Sequence, residues 1–302
     1  DASIFSVQDL PGRGKGVIAL RDIKRGELVI RESPLFILPL QVTSSPTALI
    51  SHHLQQLTSY QYSQFYNLSY VNFHSHLDPT QNLLELALAI FQTNAVAAGE
   101  RVGIFPRMAR LNHGCSSAFN VVYTWREREG VLVVHALQDI KKGQELLTTY
   151  TDTKRSRDQR RAYLEHQYSF HCSCDVCSLP DQQSLESDQR LIAMSELQAQ
   201  FVTWGSGAIQ GDEAISLVKR IWDLGTEEGY TSERGRLASD AAWVAAAHAD
   251  TKAWARLAEE WFGYEVGVDS EQVQDMRTLQ SKPEGHPAWA SRQPMQVSPP
   301  GP

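Results

Sequence analysis

The sequence predicts an α+β chain in two parts. A β-rich half with a helical insert and a metal-binding cysteine segment comes first, and an all-α region follows. Short β-branched runs bounded by glycine turns dominate before Pro180, whereas apolar stripes at helical spacing dominate after it. Four cysteines occur in 302 residues: Cys115, Cys172, Cys174 and Cys177, the last three within six positions. A disulfide scaffold would spread its cysteines more densely along the chain. A Cys-X-Cys-X-X-Cys cluster with one distant partner has the spacing of a thiolate metal site.

The β-rich half is expected over residues 1–180. Strands are predicted at 17–20, 28–31, 121–125, 131–136 and 146–150, each bounded by a turn signal. Residues 19–28 (ALRDIKRGEL) resemble residues 136–146 (ALQDIKKGQEL) with one residue inserted. Two copies are too few for a solenoid and read as two related hairpin corners in one small β domain. The insert covers about residues 43–98. Its second half, 82–91, has the length and propensity of a buried helix. Its first half carries His52, His53 and several tyrosines without metal-ligand spacing.

Residues 181–280 read as a stack of antiparallel helices. Leu191, Met194, Leu197 and Phe201 make one stripe, and Ile215, Val218, Ile221 and Trp222 a second. Leu237, Ala241, Val244 and His248 make a third, and Trp254, Leu257, Ala258, Trp261 and Phe262 a fourth. The array is tetratricopeptide-like, although the strict 34-residue repeat pattern is not visible. Residues 281–302 are rich in proline and predicted to be disordered.

Composition excludes some partners. With 28 Lys+Arg against 35 Asp+Glu the net charge is −7, so direct nucleic-acid binding is not expected. No apolar run reaches the roughly 20 residues of a membrane span, so the expectation is a soluble protein with no membrane partner. The chain begins at Asp1 rather than Met, which suggests trimming and the loss of any targeting segment.

The residues able to carry chemistry lie in residues 110–120 and in residues 145–150 continuing into 170–177. Cys172, Cys174 and Cys177 can wrap one face of an ion, leaving a tetrahedral position for Cys115. Four thiolates fill the coordination sphere, so the expected ion is one structural zinc. The basic run over residues 154–161 is expected to be the solvated face of a short helix before that segment.

The order of these motifs resembles a SET-domain protein lysine methyltransferase. The motifs are Asn112-His113-Gly114-Cys115, then Glu145-Leu146 with Tyr150 four residues on, then the cysteine segment. The glycine-rich opening from Pro11 to Gly16, the helical insert, Ile104-Phe105-Pro106 and the helical C-terminal region resemble the SET-and-MYND group and its fungal relatives. No cysteines remain to build a MYND finger. The resemblance implies a β-rich SET domain over residues 1–180 with a post-SET zinc segment at about 154–180.

It also implies S-adenosylmethionine as cofactor and methyl transfer to the side-chain amine of lysine in a protein tail or loop. Tyr150 matches the family's catalytic tyrosine, and Tyr168 a wall of the substrate channel. Asn112 and His113 match the cofactor-binding pair. Arg13, Gly14, Lys15 and Gly16 match the loop at the cofactor's methionine part, where glycines admit close approach and a cation suits a carboxylate. Phe170 matches an aromatic packed on the adenine, and Asn94 is a further pocket candidate. The family's Asn-His-X-Cys-X-Pro-Asn is here two residues longer and lacks the proline, so the loop reaching Asn120 is expected to be reshaped. The expected protein is a monomer in the nucleus, the cytoplasm or both. The competing expectation is an inactive SET-derived scaffold that holds partners on its helical array.

Overall fold

The two similar turns of the β half pair with each other. Ile23 and Ile140 exchange both backbone hydrogen bonds at 2.8 Å. The Gly26 N–H donates to the Ala136 carbonyl, and the Gly143 N–H to the Ala19 carbonyl. Each turn needs one residue in the left-handed region, supplied by Gly26 (φ 79°) and Gly143 (φ 86°). The repeat seen in the sequence is therefore a local pseudo-symmetric pair.

The computed structural model describes residues 3–41 and 45–300. Its strands are β1 (Phe5–Leu10), β2 (Gly14–Ala19), β3 (Leu28–Glu32), β4 (Ile37–Pro39), β5 (Val96–Ala98), β6 (Arg101–Gly103), β7 (Asn112–His113), β8 (Val121–Arg126), β9 (Val131–Ala136) and β10 (Glu145–Thr148). They form three small sheets with the orders β1-β2-β10-β7, β3-β9-β8 and β4-β6-β5. All pairings are antiparallel except β10 with β7, where Leu147 faces Asn112 and Thr148 faces His113. That parallel pair draws the Asn-His segment beside the strand leading to Tyr150. Val17, Ile30, Phe105, Val121, Leu132, Val134 and Leu146 fill the core between the sheets.

Every predicted strand has a counterpart, but β10 ends at Thr148 and leaves Tyr150 just beyond the ladder. Strands β4 to β6 are three residues each, too short for an alternation signal to rise above a loop.

The insert carries three helices, α1 (Pro46–Leu54), α2 (Ser59–Tyr66) and α3 (Leu83–Asn94). Its expected start at residue 43 lies outside the described residues. Thr58 and Gln61 form a reciprocal capping box at the start of α2. Phe36, Ile50, Phe65, Ile90 and Ile104 close a core of their own beneath the three helices.

Helix α4 (Arg157–Tyr168) precedes the cysteine segment, and α5 (Asp181–Val202), α6 (Gly211–Glu228), α7 (Arg234–Ala247), α8 (Lys252–Glu265) and α9 (Glu271–Ser281) follow it. Their apolar stripes meet in a core around Leu191, Val218, Ile221, Ala241, Trp254 and Phe262. Among the described residues, no helix is long and apolar enough to cross a membrane.

Two expectations need correction. The basic run is not a solvated face: Arg160 is 0% exposed and bonds to Asp188 on α5, while Arg161 donates to the Cys172 and Cys177 carbonyls. A guanidinium offers five donors in a fixed fork, which lets it organise carbonyls inside the fold. Nor is the tail disordered as far as residue 300. Ala290 and Arg292 donate their N–H groups to the Ala246 and Ala247 carbonyls at the end of α7, and Val297 is buried. A helix leaves its last carbonyls open, and an extended proline-rich strip can fill them without secondary structure of its own.

Candidate active site and metal centre

Glu145, the first residue of β10, holds two of the predicted cofactor residues at once. Its carboxylate pairs with the Arg13 guanidinium at 2.6 Å and accepts from the Asn112 amide at 2.8 Å. Gly16 makes this possible, because a Cβ there would lie 2.8 Å from the Glu145 carboxylate and 3.0 Å from the Asn112 amide. Lys15 pairs at the surface with Asp9.

These residues border a cavity of about 980 Å³. Arg13, Lys15, Asn94, Asn112, His113, Tyr150, Tyr168 and Phe170 all line it. Gly14 and Gly16 do not line it. They shape the β1–β2 hairpin behind it, while Gly12, unforeseen from the sequence, reaches the wall. Asn94 is buried at the end of α3, and its amide donates to the Ser69 and Ile90 carbonyls at 2.7 Å each. Both donors are spent on the insert, so the side-chain oxygen remains its open polar atom.

Tyr150 sits at the centre. Its hydroxyl donates to the Leu111 carbonyl at 2.6 Å, and its ring lies 5.0 Å from Tyr168 and 6.4 Å from Phe170. Burial pushes the phenol well above its ordinary value, so it stays a neutral donor. Ser169 stands between the two aromatics at the end of α4 with φ 56°, and this reversal turns Tyr168 and Phe170 into one cavity. Tyr123 of β8 and Tyr163 of α4 also line it. The sequence does not reveal them, because a tyrosine in a strand or on a helix carries no motif.

His113 connects this wall to the cysteines. The Tyr150 N–H donates to its Nδ1 at 3.0 Å, and its Nε2 lies 3.0 Å from the Cys115 sulfur. With Nδ1 accepting, the proton of the neutral ring sits on Nε2 and points at the sulfur. Burial holds the imidazole neutral by pushing its pKa down to about 4.

The sulfur atoms of Cys115, Cys172, Cys174 and Cys177 lie within 4.8 Å of one another, with Cys115 at 4.0 Å from Cys172 and 3.6 Å from Cys177. Four thiolates bound tetrahedrally at ~2.3 Å would stand about 3.8 Å apart, so the donor set and its spacing suit a divalent ion such as zinc. The Cys115 N–H also points at the Cys174 sulfur, at 3.4 Å.

A second cavity of about 440 Å³ adjoins the first through Thr149, Thr151 and Asp152. Its far side is formed by Ser195 and Gln198 of α5, with Tyr230 and Glu233. The second cavity thus lies between the segment after β10 and helix α5.

Residues 14–151 match the SET domain family. The chain is 33% identical to the histone-lysine N-methyltransferase set5 of Schizosaccharomyces pombe over 60% of this chain and 52% of that protein. It is 32% identical to the histone-lysine N-methyltransferase ASHR1 of Arabidopsis thaliana over 47% of this chain and 31% of that protein. It is 30% identical to the histone-lysine N-methyltransferase SMYD3 of Mus musculus over 39% of this chain and 28% of that protein. The chain therefore spans about half the length of the first of these relatives and less than a third of the other two.

Proposed function

For a chain that carries a SET domain and has lysine methyltransferases among its relatives, we propose methyl transfer from S-adenosylmethionine to the side-chain amine of a lysine in a protein substrate. The observation that carries the reading is the single cavity bordered by Arg13, Asn112, His113, Tyr150, Tyr168 and Phe170. Its volume lies in the range of small-molecule sites. Guanidinium, amide and aromatic groups around one space suit a ligand with a carboxylate, a polar base and a ring.

S-adenosylmethionine would supply an electrophilic methyl group, and the chain's own residues would do the rest. Arg13 and Lys15 attract a carboxylate at the rim. Asn112 and the open oxygen of Asn94 offer polar partners deeper in, and Phe170 offers a stacking face. A lysine side chain entering between Tyr123, Tyr150 and Tyr168 would leave water, and burial among neutral phenols lowers its pKa toward the reactive amine. Tyr150, fixed by its bond to Leu111, would orient the reacting groups, and in an in-line displacement positioning supplies most of the acceleration.

The division into a catalytic part over residues 1–180 and a helical part over residues 181–280 belongs to the same proposal. Cys115, Cys172, Cys174 and Cys177 would hold one structural zinc, closing the cofactor pocket from below. The relatives' names, which specify histone lysine, support a protein substrate of that kind, met in the nucleus or the cytoplasm as a lysine-bearing tail or loop.

Calorimetric titration of the zinc-replete chain with S-adenosylmethionine tests the reading, together with metal analysis of the purified protein. One bound cofactor and one zinc per chain are expected. A folded, metal-bound chain that fails to bind S-adenosylmethionine would instead favour the inactive scaffold.

A further inference from the structure

The loop after Cys115, two residues longer than the family pattern, is where the helical region grips the β half. Ser116 adopts φ 47°, which a residue with a side chain rarely does. Its hydroxyl donates to the Glu228 carboxylate at 2.9 Å. Glu228 ends α6 and its side chain is only 3% exposed. The same carboxylate accepts from Ser187 at 2.6 Å and from Arg190 at 2.8–2.9 Å, both on α5. A buried carboxylate this well partnered has a fixed position, and the strained serine hangs from it.

The contact continues on either side. Gly229 follows with φ 71° and lies so close that a Cβ there would come 3.2 Å from the Cβ of Ser117. The rings of Tyr230 and Phe119 meet edge to face at 5.8 Å. Asn120 then ties the far end of the loop to β10, donating to the Glu145 carbonyl and accepting from the Leu147 N–H. The loop therefore starts at a metal ligand, is held in its middle by α6 and ends on the strand that leads to Tyr150.

We propose that Glu228 is a positioning residue: through Ser116 it holds Cys115 in place, so the helical region governs how tightly the metal is retained. This rests on the zinc of the preceding reading. Ser187 provides the control, since it bonds the same carboxylate oxygen from α5 and is not itself part of the loop.

The experiment follows zinc release from the full chain to a chelating dye, well below the melting temperature, for Ser116→Ala, Glu228→Gln and Ser187→Ala. Ser116→Ala is expected to release zinc about 10-fold faster than wild type, the scale on which partners of metal ligands act. Glu228→Gln, which keeps the shape and loses the charge, is expected to move the same way. Ser187→Ala is expected to release zinc at the wild-type rate. A Ser116→Ala chain that holds zinc as long as the Ser187→Ala chain overturns the proposal. A wild-type chain with neither zinc nor cofactor binding overturns the methyltransferase reading itself, so the two failures are distinguishable.

Discussion

The backbone N–H of Tyr150 donates to Nδ1 of His113 at 3.0 Å, and the other nitrogen of that ring reaches the Cys115 sulfur at the same distance. One imidazole thus spans from a cysteine of the cluster to the tyrosine at the centre of the cavity. It can do so because β7 and β10 run parallel, which sets Thr148 opposite His113 and brings Tyr150 within reach. A neutral ring is required, since the acceptor nitrogen must stay unprotonated, and burial provides it.

Tyr150→Phe removes one hydroxyl and keeps the ring among His113, Tyr168 and Phe170. The Leu111 carbonyl loses its donor, a loss of about 1 kcal/mol in stability. Methyl transfer is expected to fall about 100-fold, the scale of a lost transition-state hydrogen bond. Radiolabel incorporation and thermal melting, measured on the same preparation, check both halves. Unchanged transfer would remove Tyr150 from the chemistry.

Arg13→Ala leaves Glu145 bound to Asn112 alone. Because the Arg13 side chain is partly exposed, its pair with Glu145 contributes little to stability, and the melting temperature is expected to stay within a degree or two of wild type. Cofactor affinity is expected to drop about 10-fold if the guanidinium meets a carboxylate. Calorimetry reads this directly, and an unchanged Kd would exclude Arg13 from the cofactor site.

Arg160→Met tests the buried cation behind the cysteines. Asp188 on α5 would lose its guanidinium partner, and breaking a buried pair from one side costs about 3 kcal/mol. Urea unfolding is expected to shift by that order, with earlier proteolysis at residues 172–177. A shift typical of a surface change would show that Asp188 finds water instead.

Glu265 gives a pH signature. It is buried at the end of α8 and accepts from the Gly235 N–H at 3.1 Å, and burial pushes its carboxyl up to about 8. The folded chain therefore binds this proton where the unfolded chain has released it. The stabilisation is complete below the ordinary carboxylate range near 4.5 and is lost as pH rises through about 8. Melting temperature should accordingly decline between about pH 5 and 8, and Glu265→Gln should flatten that decline. Equal slopes for the two chains would show that the carboxylate is hydrated when folded.

Several of these residues were legible in the sequence because their chemistry depends on short spacing. Cys172, Cys174 and Cys177 show the spacing of a thiolate metal site within six residues, and the strands and the helical stripes announce themselves by period. Glu145 is legible only as part of a motif, since alternation along a strand cannot say that one carboxylate will bridge Arg13 and Asn112. Composition cannot show where the tail binds, because the carbonyls of Ala246 and Ala247 that accept its N–H groups belong to another helix. Arg160 is opaque for a similar reason: an arginine in a basic run looks solvated until its partner, Asp188, is known.

By itself the sequence determined the α+β class, the change of character near Pro180, the four clustered cysteines and the order of the motifs. These follow from neighbours along the chain, where periodicity and ligand spacing are fixed by covalent geometry. Only the tertiary structure decided that the two glycine turns pair, that His113 joins Cys115 to Tyr150, and that α6 grips the loop after Cys115. Each is a contact between distant residues, set by which buried groups find partners when the chain closes on itself.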